Sequence, residues 1–394
     1  MPAHGKAAIV AAARTAIGTS RRGTLADVPA IELAKPVLRE VVARSGRDPD
    51  EFDDLVLAES LQGGGDSARY VAVDLGFTGV PGMAVNRQCA SSLTAIAVAA
   101  GQIAAGMSSV VLAGGMESCS TAPLLRRRKP FTAGKDAGDY EGGVPLSHPP
   151  TPDAPALDMS ITVAHNCAVQ YGITREEQDA WALRSHQRAV KAIDAGAFVE
   201  EIVSDRGSSA RRVHRALRRG RAPAPRHLDG EVGGTEGAAP RDRGIHRDRG
   251  EFLGCLRPAA AVALAAPATA KDPLAHVLSW AQIGVPPNRT GSGPIEAIPK
   301  ALELAGRKIE DVALFEINEA FAAQAIACTR ELGLDEELVN VYGSGISLGH
   351  PIAATGARMV TSAIYELRRR GGGIGVLSIC AGGGMGAAMV IEVA

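Results

Sequence analysis

The stretch Val85–Ser118, "VNRQCASSLTAIAVAAGQIAAGMSSVVLAGGMES", contains a strand end, a helix and a second strand in close succession. Residues 91–106, "SSLTAIAVAAGQIAAG", place small apolar residues at helical spacing, whereas residues 109–118, "SVVLAGGMES", begin as an apolar strand and end in a glycine turn. Residues 7–13, "AAIVAAA", begin the same alternation of short apolar strands and Ala-rich helices. This order predicts an α/β fold.

The C-terminal part of the chain repeats this order of strands and helices. Residues 313–332, "ALFEINEAFAAQAIACTREL", and 374–393, "IGVLSICAGGGMGAAMVIEV", have the same pattern, which indicates an internal duplication. Between the two halves the composition shifts to proline, glycine and charge, and residues 172–196, "GITREEQDAWALRSHQRAVKAIDAG", form an amphipathic helical pattern. We therefore predict an inserted loop domain between two similar halves.

The predicted domain boundaries follow from these changes of pattern. The N-terminal half comprises residues 1–118 together with 249–267, the loop domain comprises 119–248, and the C-terminal half comprises 268–394. The stretch 204–258 is atypical, because it abandons both helical and strand periodicity.

Composition excludes several classes of protein. The chain of 394 residues is 46% hydrophobic and carries a formal net charge of -1, which gives no global attraction to nucleic acid or anionic membranes. Its six cysteines show no C-x-x-C spacing, so neither a zinc ribbon nor a disulfide framework is indicated. The N-terminus lacks the pattern of a signal peptide, and no apolar run is long enough to span a membrane. We expect a cytoplasmic protein.

Cys89 is the first candidate for chemistry, because a thiol at a helix start is favoured as the nucleophilic thiolate. The alternative is that Cys89 is a small buried apolar residue. His350 follows a glycine turn and is a candidate base for that thiol, and Cys380 precedes three glycines and is a candidate second acid or base. Asn318 lies on a strand-to-helix turn, where its amide can hold a water or an oxyanion.

Four blocks of sequence together resemble the thiolases, the family of acetyl-CoA acetyltransferases and 3-ketoacyl-CoA thiolases. The blocks are, in chain order, "VNRQCASSL", "NEAFA", "GHPIAATGAR" and "CAGGGMG", with further likeness in "RTAIG" and "GGMES". The resemblance covers about 1–203 and 259–394. It implies a five-layered αβαβα fold of two similar halves, with the active site where they meet, and a homodimer or homotetramer.

The resemblance also implies an activity, reversible Claisen condensation and thiolytic cleavage of 3-ketoacyl-CoA, and so a transferase of fatty acid and lipid metabolism. Cys89 matches the nucleophile that carries the acyl group, His350 the imidazole that activates it, and Cys380 the thiol that exchanges a proton with the acetyl-CoA methyl group. Asn318 matches the residue that holds a water at the enolate oxygen. The backbone N–H groups of Cys89 and Gly382 match a second oxyanion hole. Acyl-CoA and coenzyme A are the implied partners, with neither a metal nor any other cofactor.

Three other functions remain open at this point. A ketoacyl synthase would use a Cys-His-His or Cys-His-Asn set, but Cys380 stands where that class has no cysteine. Residues 206–249 contain twelve arginines and no aromatic residue, which is a weak indication of nucleic-acid binding. The third alternative is a thiolase-like protein with impaired coenzyme A binding, because Leu253 stands where the family's serine that contacts pantetheine is expected.

Composition alone suggests that the atypical stretch is a disordered basic loop. A shift of reading frame would account for it more specifically. With free choice of third bases, residues 246–255, "HRDRGEFLGC", read one nucleotide later permit Thr-Val-Thr-Ala-Gly-Asn-Ser-Ser-Gly-Val, which resembles the family's coenzyme A loop. The same offset applied to residues 227–229, "HLD", permits Thr-Ser-Met, again as in the family. We hypothesise two compensating frameshifts or sequencing errors, near Ser204 and near Pro258.

We predict that resequencing the coding DNA will show codons for residues 204–258 that encode this loop in the neighbouring frame. If those codons cannot encode it, the hypothesis is wrong. If the frameshift is present in the gene, we expect weak coenzyme A affinity because the loop is lost, and calorimetric titration with coenzyme A measures it. A tight micromolar complex of the chain as printed would contradict this expectation.

Overall fold

The computed structural model describes residues 6–19, 25, 27–128, 140–142, 146–203 and 256–394. The segment 204–255, including Leu253 and nearly all of the stretch assigned to a shifted frame, lies outside these described residues.

Thirteen strands and eight helices are numbered here within the described part of the chain. The strands are β1 Ala8–Arg14, β2 Gly18–Thr19, β3 Asp54–Ala58, β4 Gly82–Val85, β5 Val110–Met116, β6 Arg126–Arg128, β7 Tyr140–Gly142, β8 Leu256–Arg257, β9 Ala259–Ala265, β10 Ala275–Gly284, β11 Val312–Ile317, β12 Gly373–Ala381 and β13 Met385–Val393. The helices are α1 Ala30–Ser45, α2 Ser67–Asp74, α3 Ser91–Ala104, α4 Asn166–Gln170, α5 Arg175–Asp194, α6 Gly293–Ala305, α7 Ala322–Glu331 and α8 Thr355–Arg369.

Nine of these strands form one sheet, in the order β11-β12-β13-β10-β1-β9-β5-β3-β4. In the N-terminal half, β3 and β5 are parallel, β5 and β9 are antiparallel, and β9 and β1 are antiparallel. In the C-terminal half, β11 and β12 are parallel, β12 and β13 are antiparallel, and β13 and β10 are antiparallel. The two halves therefore share one topology, which confirms the predicted duplication.

The two halves join edge to edge through a short antiparallel contact. β1 pairs with β10 at Ala8↔His276 and Ile9↔Ala275. Strand β9, at 259–265, lies between β1 and β5 of the N-terminal half. In sequence it is separated from both strands by the predicted loop domain, residues 119–248. The exact domain boundaries stay a prediction.

Helices cover both half-sheets on both faces. Helices α1 and α2 pack on the outer face of the N-terminal half-sheet, and α6 packs on the outer face of the C-terminal half-sheet with α7 beside it. Helices α3 and α8 lie between the half-sheets, in contact with each other and with strands of both. This gives the order α, β, α, β, α, and the expected five-layered fold is confirmed.

The amphipathic pattern at 172–196 is also confirmed as a helix. Helix α5 begins after Thr174, whose hydroxyl accepts a hydrogen bond from the N–H of Glu177, while the Glu177 carboxylate accepts one from the N–H of Thr174. This reciprocal cap satisfies two N–H groups that the helix itself leaves unpaired. Within the described residues, none of the helices combines the length and the apolar character needed to cross a membrane.

Candidate active site

Cys89 lies on a tight turn before helix α3. Gln88 has a φ of 50°, in the left-handed region that non-glycine residues seldom adopt. The hydroxyl of Ser91 fastens this turn, because it accepts a 2.7 Å hydrogen bond from the N–H of Arg87 and donates a 2.5 Å bond to the carbonyl of Gln88. The turn therefore holds Cys89 in a fixed position just ahead of the helix, as the sequence predicts.

The loop that carries His350 leads into helix α8, whose first turn lies directly against helix α3. The N–H of Ala357 donates a 2.9 Å hydrogen bond to Ser92 Oγ. A Cβ on Gly356 would lie 2.5 Å from the backbone nitrogen of Leu93, so the approach requires glycine at that position. The starts of α3 and α8 are thus fixed against each other, which brings the Cys89 turn and the His350 loop to one region.

Cys380 and the glycine turn after it complete this region from the β12–β13 hairpin. Cys380 is 2% exposed and pairs with Gly386 across the hairpin. At Gly383, with a φ of 93°, a Cβ would lie 2.8 Å from the carbonyl oxygen of Ser147. The hairpin turn is therefore packed closely against the segment that contains Ser147, and it has no room for a side chain at Gly383.

The backbone N–H of Gly382 reaches the sulfur of Cys89. Burial raises the pKa of the Cys89 thiol to about 11, against hydrogen bonds from the N–H groups of Gly382 and Cys89 that lower it, while Glu117 raises it further. Cys89 is therefore a neutral thiol at physiological pH. In the free enzyme burial outweighs the backbone N–H groups, so the shift in the pKa of Cys89 runs opposite to the expectation that a position before a helix favours the thiolate.

His350 is a neutral base in the same region. Burial lowers the pKa of His350 to about 3, and the positive charge of Arg358 lowers it further. Its Nδ1 lies 2.8 Å from Thr355 Oγ1, and its buried Nε2 has no hydrogen-bond partner among the described residues. When Nδ1–H donates to Thr355, the lone pair on Nε2 is free to accept a proton.

A buried ion pair lies behind His350. Arg358, which is fully buried on helix α8, donates a 2.8 Å hydrogen bond to the carboxylate of Glu316. The hydroxyl of Ser344 lies within hydrogen-bond distance of both groups, at 2.9 Å from Glu316 Oε1 and 3.2 Å from Arg358 Nη2. These hydrogen bonds offset part of the cost of burying the two charges, although Arg358 Nε has no partner among the described residues. It supplies a fixed positive charge that disfavours the imidazolium form of His350.

Asn318 is fully buried at the end of strand β11. Its N–H donates a 2.9 Å hydrogen bond to the carbonyl of Ser378 on β12, which fixes its backbone beside the strand that carries Cys380. Neither the oxygen nor the nitrogen of its side-chain amide has a hydrogen-bond partner among the described residues. Buried amide groups are normally hydrogen-bonded, so an amide with both groups free is suited to binding a polar group of a ligand.

Cys380 is one of several buried sulfurs. Burial raises the pKa of Cys380 well above its ordinary value, and the nearby sulfurs of Cys89, Cys328 and Cys167 add to this. Cys167 and Cys328 are themselves buried and have pKa values raised to about 12 by burial, so both are protonated packing residues. Of the other described cysteines, Cys119 is disulfide-bonded, which the sequence analysis did not anticipate.

Glu117 is a buried acid close to Cys89 that sequence reasoning missed. Its carboxyl accepts a 2.6 Å hydrogen bond from Gln62 and a weak 3.5 Å bond from the N–H of Ala353, in the loop after His350. Burial raises the pKa of Glu117 to about 7, although these hydrogen bonds lower it. Glu117 belongs to the "GGMES" block, so the sequence marked its neighbourhood without marking the residue.

The predicted residues and the missed ones fall into two groups. The structure brings Cys89, Gly382 and Cys380 together, and it places Asn318 and His350 on turns that adjoin them. Sequence reasoning missed the groups that support these residues, which are Thr355, Arg358, Glu316 and Glu117. Both Thr355 and Arg358 lie inside the "GHPIAATGAR" block, and their spacing of five and eight residues after His350 was a signal that could have found them.

Family comparisons match nearly the whole chain. The family model described as "Thiolase, N-terminal domain" matches residues 7–215, and the model described as "Thiolase, C-terminal domain" matches residues 271–393. The two matches leave residues 216–270 uncovered.

Individual relatives agree with this match along their full length. The chain is 37% identical over 416 residues to a 3-ketoacyl-CoA thiolase of Bacillus subtilis, covering 98% of this chain and 99% of the relative. It is 38% identical over 407 residues to a cytosolic acetyl-CoA acetyltransferase of Mus musculus, covering 98% and 97%. A crystal structure of the Bacillus anthracis acetyl-CoA acetyltransferase superposes with a TM-score of 0.83 at 37% identity, covering 99% of both chains.

The raised pKa of Glu117 predicts a specific dependence of stability on pH. With a pKa of about 7 in the folded state and 4.5 in the unfolded state, Glu117 binds its proton more tightly when folded. Its contribution to stability is therefore complete below pH 4.5 and is lost as the pH rises through 7. We compare the free energy of unfolding of Glu117→Gln with that of wild type at each pH. We expect this difference to shift in favour of Glu117→Gln by up to about 3 kcal/mol as the pH rises from 5 to 8.5.

Denaturant unfolding of both proteins at the two pH values measures this difference. The exposed Glu331→Gln is the matched control, for which we expect the same small difference from wild type at both pH values. A Glu117→Gln difference that does not grow with pH would show that Glu117 is ionised throughout this range.

Proposed function

Because the chain belongs to the thiolase family, we propose that Cys89, His350, Cys380 and Asn318 divide its reaction between them. The chain is an acyl-CoA C-acyltransferase, and its substrates are acyl-CoA and coenzyme A. The observation that carries the proposal is that the backbone N–H of Gly382 lies close enough to the sulfur of Cys89 to lower the pKa of the thiol. This contact joins two of the sequence blocks at one reacting atom.

The first step transfers an acyl group to Cys89. Both Cys89 and His350 are neutral before the reaction, since burial disfavours the charged form of each. His350 Nε2 takes the proton of the thiol as the sulfur attacks the thioester carbonyl, and it then gives this proton to the departing coenzyme A sulfur. The N–H groups of Cys89 and Gly382 stabilise the negative charge that develops on the carbonyl oxygen.

The second step makes or breaks a carbon–carbon bond. Cys380 first gives its thiol proton to His350 Nε2, and it then removes a proton from the methyl group of a second acetyl-CoA. The resulting enolate attacks the acyl group on Cys89, whose sulfur leaves and takes the proton back from His350. In cleavage the methyl proton returns. A water held by Asn318 stabilises the enolate oxygen together with His350, and the unpartnered amide of Asn318 supports this assignment. Thioester exchange and proton transfer change no oxidation state, so we propose that the reaction uses no redox cofactor. We also propose that it uses no metal, because hydrogen-bond donors of the protein stabilise the developing negative charge.

A homo-oligomer in the cytoplasm is the proposed state of the protein. Strand β4 lies at the edge of the sheet, so one side of its backbone has no neighbouring strand among the described residues. Beside it, Tyr70 is 61% exposed and Val73 is 48% exposed on helix α2. An apolar surface next to a free sheet edge fits the contact of a homodimer or homotetramer. The cytosolic mouse relative supports the compartment. Membership of the thiolase family supports a place in fatty acid and lipid metabolism.

A thiolase-like protein with impaired coenzyme A binding is the second candidate function. The family matches leave residues 216–270 uncovered, and this stretch contains Leu253 at the position expected for the coenzyme A loop serine. The groups proposed for acyl transfer all lie outside it, so chemistry at Cys89 and weak substrate binding are compatible.

We predict that incubation with an acyl-CoA places the acyl group on Cys89, because its sulfur is the one bonded by the N–H of Gly382. Peptide mass spectrometry after a short incubation identifies the acylated cysteine, and Cys89→Ala should remove the label. Acylation of another residue with Cys89 unmodified would show that the nucleophile is assigned wrongly.

We predict that Cys380→Ala keeps acyl exchange between acyl-CoA and coenzyme A within about threefold of wild type, but lowers carbon–carbon bond formation and cleavage by about 1,000-fold or more. Only the second step needs this acid and base, and general acid–base catalysis typically contributes 10²–10⁴-fold. Cys328→Ala is the matched control, because it removes a buried thiol that takes no part in the reaction. An equal loss of both rates in Cys380→Ala would contradict the division of roles.

A further inference from the structure

The buried carboxylate of Glu319 collects hydrogen bonds from three separate parts of the chain. Its Oε1 accepts bonds from Trp181 Nε1 at 3.0 Å and from Asn340 Nδ2 at 3.1 Å. Its Oε2 accepts bonds from Ser185 Oγ at 2.6 Å and from the N–H of Ile346 at 3.3 Å. All four donors are neutral, so hydrogen bonds from these groups replace the water that burial removes from the carboxylate.

Two of these donors belong to helix α5 of the inserted segment. Trp181 and Ser185 are both buried and lie four residues apart, which places them on one face of the helix. Through them, the helix is fastened to the turn after strand β11 and not merely packed on its surface. Ser185 Oγ also lies 2.8 Å from Ser347 Oγ, which extends the contact to the loop before His350.

The other two donors surround the neighbouring residue, Asn318. Asn340 Oδ1 accepts a 2.8 Å bond from the N–H of Ile317, and its Nδ2 donates a 2.8 Å bond to the carbonyl of Ile317, one residue before Asn318. Gly345 passes so close that a Cβ there would lie 2.8 Å from Asn318 Oδ1 and 2.4 Å from the carbonyl oxygen of Glu319. The orientation of the Asn318 amide therefore depends on a turn that the Glu319 carboxylate holds in place.

We propose that Glu319 is a positioning residue, which fastens helix α5 of the inserted segment to the turn that orients the amide of Asn318. The inference rests on the proposed function, in which Asn318 acts only on the enolate. Glu319 does not touch the substrate. Its removal acts mainly on the carbon–carbon step through Asn318. Acyl transfer depends on His350, which follows the same loop but whose Nδ1 is held separately, 2.8 Å from Thr355 Oγ1.

The experiment compares two rates in the full-length enzyme. Acyl exchange between acetyl-CoA and labelled coenzyme A measures transfer through Cys89, and thiolytic cleavage of acetoacetyl-CoA measures the carbon–carbon step. We expect Glu319→Gln to lower the kcat of cleavage at least 10-fold, with acyl exchange within about twofold of wild type. The reason is that the glutamine NH₂ group replaces one carboxylate oxygen and so faces two groups that are themselves hydrogen-bond donors. Trp181→Phe and Ser185→Ala each remove one donor with little change of shape, and we expect a smaller loss of cleavage with the same unchanged exchange.

Two control variants separate the possible results. The exposed Glu331→Gln makes the same chemical change on helix α7 and should alter neither rate. If Asn318→Ala leaves cleavage unchanged, the proposed role of Asn318 is wrong. A selective loss of cleavage in Asn318→Ala would support the role of Asn318. If the other three variants, Trp181→Phe, Ser185→Ala and Glu319→Gln, then lower both rates equally or lower neither, only the role of Glu319 is overturned. Should Glu319→Gln fail to fold, the two single-donor variants decide the question.

Discussion

Close packing of the two central helices against the sheet and against each other governs this structure. A Cβ on Gly115 of strand β5 would lie 2.8 Å from Ser92 Cβ on helix α3, and a Cβ on Gly356 of helix α8 would lie 2.5 Å from the backbone nitrogen of Leu93 on helix α3. Only small residues fit at such distances, and protein interiors are packed too densely to absorb the difference. The Ala-rich composition of the core follows from this constraint, and so does the fixed position of the turns that precede helices α3 and α8.

The same burial sets the charges of the reacting groups. Apolar surroundings raise the pKa of Cys89 and lower that of His350, so each group is neutral in the free enzyme. An ion pair of thiolate and imidazolium would be stabilised in an exposed site, but here both charges would lose their solvation. In the proposed mechanism the proton therefore moves as the sulfur attacks, when the N–H groups at the carbonyl oxygen already offer a place for the negative charge.

Sequence predicted the fold and the residues with distinctive local patterns. Cys89, His350, Cys380 and Gly382 stand in blocks whose order and spacing are specific, and the duplicated order of strands and helices is visible in the hydrophobic pattern. Of the supporting groups, Glu316 and Glu319 were not predictable in this way, because their partners are far away along the chain. Glu319 lies well over a hundred residues from Trp181, and Arg358 is tied to Glu316 on another element. The sign of the Cys89 pKa shift was also out of reach, since it depends on burial and not on position in a helix.

The matching topology of the halves has a consequence for how such a site can arise. The turn before α3 carries the Cys89 thiol, and the equivalent turn before α8 carries the His350 imidazole. Equivalent positions in the two halves therefore hold different chemical groups. Two identical chains related by a twofold axis would present the same residue at both places, either two thiols or two imidazoles. Joining both copies in one gene removes that restriction, because each copy can then mutate independently. In this sense the asymmetry of the chemistry is a property of the fusion, and neither half possesses it alone.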